Sequence, residues 1–150
     1  MWRNIGACIA GFVVGNLLVF LVEQINSGLM PTDLKPGDME AFKAAIAKLP
    51  TYAFVVVLVA WSVGAFGGPF TTTLLARGPR VLLACVIGGY FWFATLSMLI
   101  LIPGPAFMWL GLMMVPIMAL AGAALALKLN PNKPSGPQPY DMREKGMACK

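Results

Sequence analysis

The feature that most constrains this sequence is a long apolar stretch over residues 49–80, which reads LPTYAFVVVLVAWSVGAFGGPFTTTLLARGPR. It begins with a Leu-Pro pair and ends with two arginines around a Gly-Pro turn. A helix of about 23 residues, rising ~1.5 Å per residue, crosses a hydrocarbon layer of ~30 Å. The chain is 59% apolar and only 11% charged, far from the soluble norm. Both observations indicate a membrane protein.

Three further apolar segments accompany this stretch, so we predict an all-α, four-helix transmembrane bundle over residues 1–128. The first segment is too long for a secretory signal and lacks a small-residue cleavage site. A short amphipathic helix on the outer surface is expected from Asp38 to about Lys48. Residues 129–150 are Pro-rich and predict an extended cytoplasmic tail. The spans are predicted at about 5–25, 52–76, 81–102 and 106–127.

The distribution of basic residues predicts the orientation of the bundle. Four basic residues lie at one set of segment ends, together with the basic tail: Arg3, Arg77, Arg80 and Lys128. The other set of ends has only the loop before the second span, where lysines are offset by acidic residues. By the positive-inside rule, both termini are cytoplasmic and this loop faces outward.

Composition also excludes several classes of function. The net charge of +5 is concentrated at segment ends, which argues against nucleic-acid binding. The chain contains no histidine, which excludes His-ligated haem and the usual axial ligand of chlorophyll and removes the commonest general base. The sequence implies no metal or cofactor, and we predict that the protein is not an enzyme.

Small residues recur at four-residue spacing in the first two spans. Such spacing lets two helix backbones approach closely, as in GxxxG packing, so these ladders are predicted to face each other. The predicted packing residues are Gly11, Gly15, Ala60, Gly64 and Gly68.

A few polar residues inside the spans are candidates for a functional site. Glu23 is the only acidic residue in a predicted span, and Asn16 lies on the same helical stripe nearer the midplane. Ser62, Tyr90 and Pro116 come to similar depths, and Pro116 frees the carbonyl of the residue four positions earlier, Leu112. These groups form either a substrate site or interhelical hydrogen bonds worth ~1 kcal/mol each, and the second interpretation is favoured.

Glu23 also needs a partner of its own, because an ionised carboxylate in dry hydrocarbon costs several kcal/mol. We predict a clasp in which Glu23 pairs with Lys48 or Tyr52 and ties the surface helix to the bundle. The aromatic run at residues 90–93 could pack against a lipid, a quinone or a pigment, although ordinary packing within the bundle is favoured.

Several landmarks together resemble a family of small four-span bacterial inner-membrane proteins known mainly from genomes. The resemblance covers roughly residues 1–128 and rests on Glu23, Leu49-Pro50, Ala60-Trp61, Gly64, Gly67-Gly68 and residues 102–105. Pro69 and Gly104 depart from the family's pattern. The resemblance implies a bacterial inner-membrane setting and transfers no active site.

The absence of catalytic side chains and the small-residue ladders predict a non-enzymatic accessory or structural subunit. Its partners would be the lipid bilayer and other membrane subunits, or further copies of itself. The alternative is a small oligomeric transporter or channel that uses Asn16 and Glu23 as its polar stripe.

Overall fold

The computed structural model describes residues 2–29, 39–102 and 104–131. These residues form a helical bundle without strands, which confirms the predicted all-α architecture. The helices are α1 (Trp2–Glu23), α2 (Met39–Ala47), α3 (Thr51–Leu75), α4 (Arg80–Leu101) and α5 (Gly111–Leu129). The predicted tail beyond residue 131 and the loop at 30–38 lie outside the described residues.

Four of these segments are long and apolar enough to cross a membrane, namely Trp2–Gly28, Thr51–Leu75, Arg80–Leu101 and Ala106–Leu129. The first starts before the predicted residue 5, and the last continues past residue 127. Helical hydrogen bonding does not stop where the apolar run stops, so both helices extend into polar flanking sequence. Short 3₁₀ segments continue α1 at Gln24–Leu29 and precede α5 at Ala106–Leu110.

Prolines and a tight turn set the limits of α3. Pro50, just before its first residue, is extended at φ −68° and ψ 152°, and Ala76 after its last residue is extended at ψ 144°. Pro79 then immediately precedes Arg80, the first residue of α4. Such a short connection makes α3 and α4 antiparallel neighbours.

The bundle therefore has two ends, the α2 end and the Arg80 end. At the α2 end, α1 finishes, α3 begins, α4 finishes and α5 begins, and α2 lies beside them. At the Arg80 end, the opposite termini of the four long helices meet.

Helix α3 forms the centre of the bundle and packs against α1, α4 and α5. Its buried positions are mostly small residues, including Ala60, Ser62 and Ala65. Small side chains keep helix backbones close, which is the usual basis of helix association in lipid. By contrast, α1 buries only Ala7, Gly11 and Gly15.

The glycines of α1 and α3 face each other at the contact between these helices. A Cβ atom built on Gly15 would lie 3.0 Å from the carbonyl oxygen of Gly64, and one built on Gly64 would lie 2.9 Å from the carbonyl oxygen of Gly15. Similarly, a Cβ atom on Gly11 would lie 2.6 Å from the carbonyl oxygen of Gly68. The two backbones are therefore in direct contact.

Phe91 of α4 fills the space beside these glycines. Its ring would lie 2.5 Å from a Cβ atom at Gly15 and 2.9 Å from one at Gly68. It is buried in a cluster with Ala65, Ile87 and Val115. The ring thus joins α1, α3 and α4 at the bundle centre.

Candidate functional site

Two of the predicted polar residues, Asn16 and Tyr90, meet on the surface between α1 and α4. The Tyr90 hydroxyl donates a hydrogen bond to Asn16 Oδ1 at 3.5 Å, and Asn16 Nδ2 donates to the Phe12 carbonyl at 2.8 Å. The Phe12 and Tyr90 rings are also in contact, with centroids 4.8 Å apart. Both polar residues lie near the middle of their membrane-spanning segments. Tyr90 remains 40% exposed.

Ser62 does not join this pair. Its side chain is buried and donates to the Leu58 carbonyl of its own helix at 2.8 Å. Thr72 and Thr73 bond back in the same way, to Gly68 and Pro69. Helix hydroxyls commonly make this local bond, so Ser62 contributes to α3 rather than to a polar layer.

Pro116 is involved in a contact that links α4 and α5. Proline lacks the amide hydrogen that would bond the Leu112 carbonyl. The Trp92 indole N–H donates to this carbonyl instead, at 3.2 Å. The four aromatic residues at positions 90–93 therefore have different surroundings. Tyr90 and Trp92 form hydrogen bonds to neighbouring helices, Phe91 is buried, and Phe93 is 65% exposed.

Glu23 lies at the α2 end of the bundle, where it lines a partly enclosed cavity of about 280 Å³. The other polar lining residues are Asn26 and Ser27, both in the 3₁₀ segment after α1. Most of the wall is apolar and comes from α2, α3, α4 and the start of the last span. Asn16 does not line this cavity, so Asn16 and Glu23 belong to different features of the described structure.

The predicted clasp between Glu23 and Lys48 or Tyr52 is not formed in the described part of the chain: Glu23 makes no ion pair or hydrogen bond to either residue there. The apolar face of α2 covers the cavity with Phe42 and Ile46, leaving Lys48 exposed, and Tyr52 is 56% exposed.

Asn26, rather than Glu23, makes the side-chain hydrogen bond that ties this end of the first span to another described helix. Its Nδ2 atom donates to the Ala53 carbonyl of α3 at 2.8 Å, so the end of the first span is tied to the start of the second. The sequence signal for Asn26 was weak, because a single amide near a segment end is usually solvated.

Arg80 has a structural role that sequence reasoning missed. The side chain is only 1% exposed, although it stands at the first position of α4. Its Nε atom donates to the Thr73 carbonyl at 3.0 Å, and its Nη1 atom donates to the Asn130 carbonyl at 2.9 Å. These carbonyls lie at the C-terminal ends of α3 and α5, where the helix dipole favours a cation. Arg80 therefore joins three helices at one end.

Metal ligands and thiols are two further classes of reactive side chain. Within residues 2–29, 39–102 and 104–131, no group of three or more His, Cys, Asp or Glu side chains could hold a metal ion. Cys8 and Cys85 are free thiols. The described structure thus presents two candidate sites: the Asn16–Tyr90 surface pair and the Glu23 cavity.

No protein-family model, curated protein or solved structure matches this chain.

Proposed function

We propose that this chain is a non-enzymatic accessory subunit that docks onto a transmembrane helix of a larger membrane complex. The docking surface, called here the α1–α4 face, consists of Phe12, Asn16 and Tyr90. The observation that carries this proposal is the hydrogen-bonded Asn16–Tyr90 pair, which lies on the bundle surface at mid-depth.

Polar groups at this depth have no water to bond with. An amide or hydroxyl facing hydrocarbon loses hydrogen-bonding energy, so such groups in spans usually face another helix. The bond between Asn16 and Tyr90 is long at 3.5 Å, and only one Asn16 amide hydrogen is needed for the bond to Phe12. The second amide hydrogen and the lone pairs of the Tyr90 oxygen remain for a partner helix.

The neighbouring rings support the same arrangement. Phe12 is 41% exposed and Tyr90 40%, and their contact forms a firm apolar surface around the amide. A partner helix could bury both rings while bonding Asn16, which combines packing with a hydrogen bond as helix pairs in membranes do.

A photo-crosslinking amino acid introduced at Phe12 should capture a partner helix in native membranes. The same probe at Ile117, which is 62% exposed on α5, should capture far less. In the Phe12-probe background, Asn16→Val should reduce the adduct about fivefold, the effect of losing roughly 1 kcal/mol of interhelical bonding. Ser97→Ala should leave it unchanged, because the Ser97 hydroxyl bonds Phe93 of its own helix.

The mass of the crosslinked adduct would be measured, because it distinguishes a second copy of this chain from a different subunit. Equal capture at both probe positions, or an adduct insensitive to Asn16→Val, would contradict docking through the α1–α4 face.

The proposed setting is a bacterial inner membrane, on the strength of the resemblance described above, with both chain termini in the cytoplasm. The Arg80 end would then face the cytoplasm and the α2 end would face outward. The support is the excess of Lys and Arg at the Arg80 end.

A labelling experiment tests this orientation. In a background without the native cysteines, Glu40→Cys at the α2 end should react with an impermeant maleimide added to intact cells. Asn130→Cys at the other end should react only after the membrane is permeabilised. Both positions are exposed in the structure, so accessibility does not bias the comparison. The reverse pattern would overturn the orientation.

A further inference from the structure

The cavity at the α2 end has a polar part and an apolar part, which is the division expected of a site for an amphipathic molecule. Glu23, Asn26 and Ser27 provide its polar lining. The apolar wall includes three aromatic residues, Phe42 from α2 and Phe54 and Trp61 from α3, together with aliphatic and Met side chains. Its volume of about 280 Å³ is slightly below the range of about 300–1,000 Å³ for small-molecule pockets.

The polar lining is rich in acceptors and poor in donors. The Glu23 carboxylate has no ion pair or hydrogen bond with any described residue. One hydrogen of the Asn26 amide donates to Ala53 and the other is left as the one amide donor of the lining, while the Asn26 Oδ1 atom is buried without a hydrogen-bond donor in the described structure. The Ser27 hydroxyl donates to the Gln24 carbonyl at 2.7 Å, which leaves its oxygen as an acceptor.

A ligand that complements this lining must therefore bring hydrogen-bond donors and a positive charge. An ionised carboxylate in an apolar setting needs a cation, and the Ser27 oxygen can accept a hydrogen bond from the ligand. A primary ammonium group supplies three N–H donors and one positive charge. An alcohol brings one donor and no charge, and a quaternary ammonium brings charge without N–H donors.

We propose that this cavity binds the primary ammonium group of an amphipathic molecule, with Glu23 as its counter-ion and the carbon chain against the apolar wall. The nearby aromatic rings add a favourable surface for a cation. Two sources share this chemistry, a free long-chain amine and the headgroup of an aminophospholipid. The cavity holds the headgroup and the first part of a chain, while the remainder continues into the bilayer.

Binding can be measured with the full-length protein in a nonionic detergent by thermal-shift titration. The probes are dodecylamine, dodecanol and dodecyltrimethylammonium, at one fixed detergent concentration. Micelle partitioning of each probe is then the same for every protein variant. Dodecylamine should bind the wild-type protein at least tenfold more tightly than either of the other probes.

Glu23→Gln should remove this preference and weaken dodecylamine binding at least tenfold, while dodecanol binding stays the same. The matched control is Glu40→Gln, which removes an equal charge from an exposed position on α2, and it should not change amine binding. Val57→Trp fills the cavity from its α3 wall and should weaken all three probes. This variant and the wild-type preference keep the test decisive if Glu23→Gln fails to fold.

Two measurements distinguish a lipid headgroup from a free amine as the ligand. Native mass spectrometry with equimolar phosphatidylethanolamine and phosphatidylcholine should show selective, Glu23-dependent retention of the first lipid if the ligand is a headgroup. Binding of dodecylamine without lipid retention identifies a free amine. The proposal is overturned if wild-type protein binds amine and alcohol equally, if Glu23→Gln binds dodecylamine normally, or if Glu40→Gln weakens it as much as Glu23→Gln.

Discussion

Gly15→Leu should prevent α1 from packing on α3 and lower the free energy of unfolding by about 3 kcal/mol or more. A Cβ atom at this position already lies 2.5 Å from the Phe91 ring and 3.0 Å from the Gly64 carbonyl oxygen. The ring can rotate, but a backbone carbonyl cannot move without separating the two helices. Gly64→Leu should have a similar effect, because its Cβ atom would lie 2.9 Å from the Gly15 carbonyl oxygen and against Val19.

The matched control for these variants is Gly6→Leu, on the same helix as Gly15. A Cβ atom at Gly6 meets nothing within 4 Å, and leucine favours a helix over glycine by up to ~1 kcal/mol. This variant should therefore melt at or above the wild-type temperature when unfolding is followed by circular dichroism in detergent. If Gly15→Leu and Gly64→Leu both melt at the same temperature as Gly6→Leu, the α1–α3 contact does not stabilise the fold.

Arg80→Met should destabilise the bundle by about 3 kcal/mol, since each hydrogen bond from a charged group contributes roughly 1.5–3 kcal/mol. Methionine keeps much of the side-chain volume but cannot donate to the carbonyls of Thr73 and Asn130, at the C-terminal ends of α3 and α5. Arg80→Lys should recover only part of the loss, because one compact ammonium does not reproduce the planar set of donors in a guanidinium.

Arg77→Met is the control for Arg80→Met, because Arg77 lies in the same turn but is exposed. Its removal lowers the net charge by the same amount and should shift the unfolding midpoint little. Equal destabilisation by the two variants would mean that charge at this end of the bundle, rather than the buried bonds, supports the fold.

The sequence predicted the parts of the fold that depend on one helix at a time. Apolar length located the four spans, and the turns at Pro50 and Pro79 separated them. The four-residue spacing of small residues also predicted which stripe of α1 would be buried, because a narrow stripe is a property of one helix. Counting inward from the segment ends placed Asn16 and Tyr90 at similar depth.

The side-chain contacts between helices could not be predicted in this way, because they depend on how each helix is rotated about its axis. Depth alone could not distinguish Tyr90, which reaches Asn16, from Ser62, which bonds its own helix. It also could not show that Glu23 lines a cavity while Asn26 bonds α3. The sequence pattern identifies Arg80 only as an orienting charge, since its acceptor Asn130 is 50 positions away in the chain. Such contacts follow from packing between distant segments, which local sequence patterns do not encode.

The hydrogen bond from Trp92 to Leu112 has a mechanical consequence for the bundle. It ties a side chain of α4 to one particular turn of α5, at the place where Pro116 has interrupted the backbone hydrogen bonds. A slide of one helical turn, ~5.4 Å, would break this bond and leave the carbonyl facing hydrocarbon. The bond thereby stabilises one register of α4 against α5, and a conformational change that preserves it would move the two helices together rather than past each other.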